Sequence, residues 1–236
     1  QIMLSTVYRQ QSQRSSAGQP LGGEASDPEN RLLWRQNLRR LEAESVRDSI
    51  LAMSGKLDLT AGGPAIMLNS QPNGMSTVKG DGSPTSKWRR SIYVFARRNL
   101  RYPIFELFDR PDGNASCSRR NQSTTAPQSL FLLNSHFSLQ TARQFAGTGL
   151  RQTSDQSQFV QWVFQRALAR AATAAELQRA IQFMDQQREL AQKERRPASR
   201  LALPMPSPEG IDPYFAAAYT DLCLAVFNLN EFIYVD

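Results

Sequence analysis

Apolar side chains recur at helical spacing through most of the second half of the chain and through one stretch of the first. Leu38, Leu41, Val46, Ile50 and Met53 form a broken stripe of that period. Asp27-Pro28 precedes them as an N-cap acid with proline at the first helical position. The pattern predicts a helix over 29–53, ended by Gly55. Ile2, Leu4 and Val7 read as the tail of an earlier helix, and the polar, glycine-rich run 9–27 as a loop.

The helices expected further on are better marked. Tyr102-Pro103 opens a short one running to Phe108. Thr125 and Gln128 have capping-box spacing ahead of Leu130, Phe131 and Leu133, with an end at Asn134. A helix over 138–146 is expected to stop at Gly147. Ser154 or Asp155 opens another, with Phe159, Trp162, Val163 and Ala167 on one face. Thr173 and Glu176 form a second box before Leu177, Ala180, Ile181 and Met184, and that helix ends in the charged run 193–196. A closing helix over 214–229 turns Phe215, Ala218, Leu222, Cys223 and Val226 inward.

Between these elements lie two long loops. Residues 55–87 hold six glycines and three prolines, with a short strand expected at 65–68. Residues 197–213 hold five prolines. The β-branched and aromatic run 91–96 is the strongest strand signal in the chain, and 111–114 is a tight turn. No repeat of fixed period occurs. The fold class expected is mainly α: one helical domain over 1–236, with a small β element near 91–96 and covering loops.

Charge alters this picture in one place. The chain has 236 residues, 28 of them Lys or Arg, and a formal net charge of +7. Only 4 of the 28 are lysine. Arginine suits planar, multidentate hydrogen bonding more than general solubility. Eight arginines (89, 90, 97, 98, 101, 110, 119 and 120) fall in one stretch. They alternate with acids and apolar residues, which favours internal pairing over a nucleic-acid face. No homeodomain, RRM, KH or zinc-finger pattern is present, so nucleic acid is not an expected partner. No apolar run approaches the roughly 18 residues of a membrane span. The start has no initiator Met and no charged signal region, so Gln1 reads as an interior position of a longer chain.

Each candidate site has two readings. Glu42, Glu44, Arg47 and Asp48 share helical spacings. They read either as a carboxylate pair for acid–base work or as an ion-pair network holding the helix against the arginine-rich loop; the second is the expectation. Arg119 and Arg120, with Arg97 and Arg98, are candidates for binding carboxylate, sulfate or phosphate. Asp109, Asp112, Asn114 and Ser116 resemble a calcium loop superficially, but the EF-hand spacing is absent, and an Asx-stabilised turn is expected. His136, the sole histidine, is expected at a helix boundary, with an axial haem ligand as the other reading. No metal site and no catalytic residue is assigned.

Three segments carry a family likeness. RRSIYVFARRN, ELFDRPDGNASCSRRNQSTTAPQSLFLLNS and the terminal LCLAVFNLNEFIYVD resemble a family of planctomycete secreted proteins with a C-terminal domain of unknown function. NLRRLEAESVRDSILAMSGKLD and LSTVYRQQS match the same domain. Its longer chains often carry a cytochrome-c-like domain upstream. The resemblance implies export, to the periplasm, cell surface or medium, and a link to a redox or surface assembly. Any haem would sit in the parent chain or a partner, with no cofactor in this segment. In an exported protein Cys117 and Cys223 are disulfide candidates; the bond would close a loop of roughly 106 residues and stabilise by about 4 kcal/mol. Two separate thiols are the other reading. The family pattern ALGRxPTxxE is here ALARAATAAE (167–176), whose alanines favour a more continuous helix.

The function expected is a non-enzymatic binding or scaffolding module whose partners are other domains of the parent chain or a multiprotein complex. The alternative is an enzyme or binding domain acting on anionic polysaccharide through Arg119 and Arg120.

Overall fold

The computed structural model describes residues 1–10, 12, 23, 26–72, 75–79, 86–98 and 100–235. Among them are eight α-helices: α1 (Ala43–Met53), α2 (Pro103–Leu107), α3 (Ala126–Asn134), α4 (His136–Leu150), α5 (Gln156–Leu168), α6 (Ala174–Lys193), α7 (Pro213–Val226) and α8 (Asn230–Ile233). Four short strands, β1 (Arg39–Arg40), β2 (Leu68–Ser70), β3 (Ser76–Val78) and β4 (Tyr234–Val235), pair antiparallel as β1–β4 and β2–β3. The fold is mainly α with a small β content, as the hydrophobic pattern implied. No helix among the described residues is long and apolar enough to cross a membrane.

Packing divides the chain into two compact units, residues 1–41 with 230–236, and residues 42–229. In the smaller unit Arg39 faces Val235 and Arg40 faces Tyr234 across the β1–β4 ladder. The helix expected over 29–53 has no first half. Asp27 does not act as an N-cap; its carboxylate accepts from the backbone N–H of Arg31 (2.9 Å) and Leu32 (2.7 Å). Asn30 and Leu33 both adopt φ of 55°, left-handed values that no helix accommodates. The Asn30 amide also donates to Arg35 O at 2.7 Å. Side chain to backbone bonds here outcompete the helical ladder.

In the larger unit α7 packs against α4 and α6. Its core is aromatic. Phe159 meets Tyr219 edge to face with ring centres 4.5 Å apart, Phe145 meets Trp162 at 5.0 Å, and Phe145 stacks on Phe227 at 6.2 Å. The helix starts follow their caps. Thr125 and Gln128 satisfy both halves of a capping box, as do Thr173 and Glu176. Asp155 and Asp212 accept from the N–H groups of Gln158 and Phe215.

Three further expectations fail. Residues 91–96 are not a strand. Ser91–Tyr93 is a 3-10 turn, and Val94 makes only an isolated parallel bridge to Ile66. The Ser91 N–H, which a ladder would use, donates instead to Asp48 Oδ1 at 2.8 Å. Gly147 does not stop α4, which runs on to Leu150. A methyl group at 147 would collide with the backbone of Met205. The proline-rich segment crosses α4 there, tied by Met205 N–H to Arg143 O (2.8 Å) and by Arg143 Nε–H to Leu203 O (2.6 Å). Finally, 167–176 is not continuous helix. Ala169 ends α5 at φ 56°, and Gln161 brackets Ala172 through its N–H (2.9 Å) and carbonyl (3.1 Å).

Two substitutions test these packing claims by thermal denaturation. Ala169→Gly removes the cost of an L side chain in the left-handed region and is expected to raise stability by about 1 kcal/mol. Gly147→Ala drives a methyl into the crossing strap and is expected to lower it by about 1–3 kcal/mol.

Candidate functional site

Helix α1 buries Ala43, Val46, Ile50 and Leu51, and on the same side it buries Arg47, which is 1% exposed. The guanidinium spans three acceptors on a distant segment. Nη1 donates to Arg89 O (3.0 Å) and Ser91 Oγ (3.1 Å), and Nη2 donates to Lys87 O (2.9 Å). Its carbon lies 6.0 Å from the Tyr102 ring centre and 5.9 Å from that of Phe137. The neighbouring Asp48 accepts from the Ser91 N–H (2.8 Å) and hydroxyl (2.6 Å). Arg47 and Asp48 thus hold 87–91 against α1, and their own ion pair is loose at 3.6 Å. Arg89 repeats the device one step out. It donates to the carbonyls of Pro64 (2.9 Å), Thr60 (3.4 Å) and Gly62, and lies 4.0 Å from the Tyr93 ring centre.

Glu44 organises a second arrangement. Arg120 reaches it through Nη1 (2.7 Å) and Nη2 (3.3 Å) and also reaches Glu42 (3.1 Å); Arg110 Nε lies 3.3 Å away. Burial pushes the Glu44 carboxyl up. The Arg120 hydrogen bonds, its own backbone N–H and the charges of Arg120 and Arg110 outweigh this and hold it below its ordinary value of 4.5. Arg110 stacks on Phe105, with its guanidinium carbon 4.6 Å from the ring centre. Arg101 pairs with Glu106 (3.0 Å) and Asp112 (3.5 Å). These groups, with Arg97 and Arg98, line a cleft of about 390 Å³.

The central arginines therefore meet three fates. Arg110 and Arg120 pair with acids at the start of α1, and Arg90 lies 3.9 Å from Asp48. Arg47 and Arg89 bind mainly carbonyls, and Arg101 binds acids of its own loop. Arg97, Arg98 and Arg119 are exposed, and among the described residues no carboxylate lies within ion-pair distance of them. Arg119 and Arg120 do not act as one clamp, because Arg120 is held by Glu42 and Glu44.

The remaining candidates are structural or exposed. Asp112 accepts from the backbone N–H (2.9 Å) and side-chain amide (3.0 Å) of Asn114, an Asx turn. Asp109 accepts from the N–H (2.7 Å) and hydroxyl of Ser123. Ser116 is exposed. The disulfide expectation is corrected: Cys117 and Cys223 are free thiols. Cys117 lies on an exposed loop and donates to Arg119 O at 3.1 Å. Cys223 is fully enclosed in α7, and burial pushes its thiol well up. His136 is the exposed first residue of α4, at the mouth of a second cavity of about 290 Å³ walled by Trp88, Tyr102, Phe131 and Phe137.

Ser91, Arg101, Arg110 and Glu106 were not assigned to the site from sequence: Ser91 and Arg110 meet partners dozens of residues away, and the five-residue spacing of Arg101 and Glu106 lies outside any helix period. Asp221 was also missed. Burial pushes its carboxyl up to about 6, against the charge of Arg196; its only signal was an acid on the inward face of the closing helix.

A family model described as protein of unknown function (DUF1553) matches residues 1–184. The chain belongs to this family. The DUF1553 match takes in both the Arg47 fastening and the arginine-lined cleft, while α7 lies beyond it. Searches of curated proteins and of solved structures find no match.

Two measurements separate the buried arginine from the half-exposed one. Arg47→Met orphans buried acceptors and is expected to cost about 3–5 kcal/mol in urea denaturation, whereas Arg120→Met costs about 1 kcal/mol or less. Glu44 and Glu176 have folded-state values lowered from 4.5, Glu176 to about 2 through hydrogen bonds from Arg170 and Thr173. Their stabilisation is complete above the unfolded value and is lost as pH falls through the folded one. Stability is therefore expected to decline from about pH 4.5 towards pH 2, with a shallower decline in Glu44→Gln.

Proposed function

We propose that the chain is a non-enzymatic binding or scaffolding module of an exported multidomain protein, working in a redox or cell-surface assembly. The observation that carries this reading is the engagement of the cleft acids. Glu44 is held between Arg110 and Arg120, and Glu106 and Asp112 are held by Arg101. The Glu44 and Asp112 carboxyls, held below their ordinary values by hydrogen bonds and nearby arginines, are poor proton donors at neutral pH. Among the described residues the carboxyl raised towards neutrality is that of Asp221, which is not part of this cleft. Polar groups here fix backbone segments to helices, which is the work of a rigid presenting surface.

Export, a periplasmic or cell-surface location, and haem in the parent chain or a partner follow from the likeness to secreted planctomycete proteins. The partners on this reading are the other domains of the parent chain or the complex they build. The polysaccharide reading needs Arg119 and Arg120 free to grip one anion, and Arg120 already carries two carboxylates.

The test is association. The chain and the remaining domains of its parent, expressed separately, are mixed and followed by sedimentation velocity. Saturable association is expected. No association, or release of reducing ends from a uronate- or sulfate-bearing polysaccharide by the chain alone, contradicts the reading.

A further inference from the structure

We infer that the cleft bordered by Arg97 and Arg98 is the docking site for an acidic segment of a protein partner. The inference rests on the reading of the chain as a binding module and gives that module its recognition surface.

Charge supplies the first argument. Five guanidinium groups and three carboxylates line the cleft. The three acids are taken by Arg101, Arg110 and Arg120. The two arginines left over, 97 and 98, stand exposed on adjacent positions. A concave wall focuses the field of such an excess and draws anions to it. Guanidinium groups fix carboxylates bidentately, so two added acids would extend the pairing already present at Glu44 and Glu106.

The walls decide between a peptide and a glycan. A sugar ring seeks an open aromatic face. Tyr102 and Phe105 are buried, and Arg110 already covers the Phe105 ring. Phe95, 44% exposed, is the open ring at the rim, and Leu68, Ala96, Leu100 and Pro111 also line the cleft. This small apolar patch flanked by cations fits an aliphatic side chain between acidic ones. Its single open ring, Phe95, gives less stacking surface than the successive rings of a uronate chain would use.

The test uses fluorescence anisotropy with a fluorescein-labelled peptide of Asp and Glu interspersed with Leu, and a control with Asn and Gln in place of the acids. The acidic peptide is expected to bind, and to bind more weakly as NaCl is raised. Arg97→Ser with Arg98→Ser is expected to weaken binding at least about tenfold with an unchanged thermal midpoint, since neither side chain is packed. Equal binding of the neutral peptide, or an unaffected double variant, overturns the proposal. So does stronger competition by oligogalacturonate than by unlabelled acidic peptide at equal carboxylate concentration. Sedimentation of the double variant with the parent's remaining domains separates the two claims: association retained at wild-type strength removes the cleft as docking site while leaving the module reading intact.

Discussion

A guanidinium buried in the face of a helix sets the terms for the larger unit. Arg47 sits in the apolar row of α1 and is almost wholly removed from water. Such a charge is tolerated where most of its donors are met; both Nη nitrogens are, while Nε has no acceptor among the described residues. The acceptors are two carbonyls and a hydroxyl from a segment 40 to 44 residues away. Residues 87–91 therefore lie along α1, and backbone groups there bond to α1 side chains instead of a sheet. Asp48 reinforces this by taking the Ser91 donors. Arg89, fixed by its own backbone carbonyl, then carries the fastening onward to Thr60, Gly62 and Pro64.

The arginine excess is thus not one property. Enclosed arginines bind carbonyls and order the covering loop. Half-exposed ones bind acids and line the cleft. Those at the rim are left facing solvent. Where a carboxylate meets two guanidinium groups, as at Glu44, it stays ionised and structural. The cleft assembled this way carries more guanidinium than carboxylate groups.

What could be read from the sequence was what is decided locally. Thr125, Asp155 and Thr173 mark helix starts because a cap and its N–H partner lie three residues apart. The mainly α class followed from the same periodicity. What could not be read was decided by distant groups. The 91–96 run has every strand preference, yet its first donor goes to an acid 43 residues earlier. Gly147 looks like a terminator until the segment at 205 is laid across it. Asp27 is the local exception: it has the look of an N-cap, yet its carboxylate closes a turn with Arg31 and Leu32. The site followed the same rule. Spacing drew attention to Glu42, Glu44, Arg47 and Asp48, but not to Ser91, Arg110 and the carbonyls that they serve.

Backbone amide exchange across 86–95, in the intact chain at neutral pH, tests the central claim most directly. If α1 fastens this segment through Arg47 and Asp48, the Ser91 amide is protected to nearly the same degree as the amides of α1 itself, although its acceptor is a side chain and not a helix or sheet carbonyl. Exchange of Ser91 at the rate of an open loop, while α1 remains protected, would contradict it.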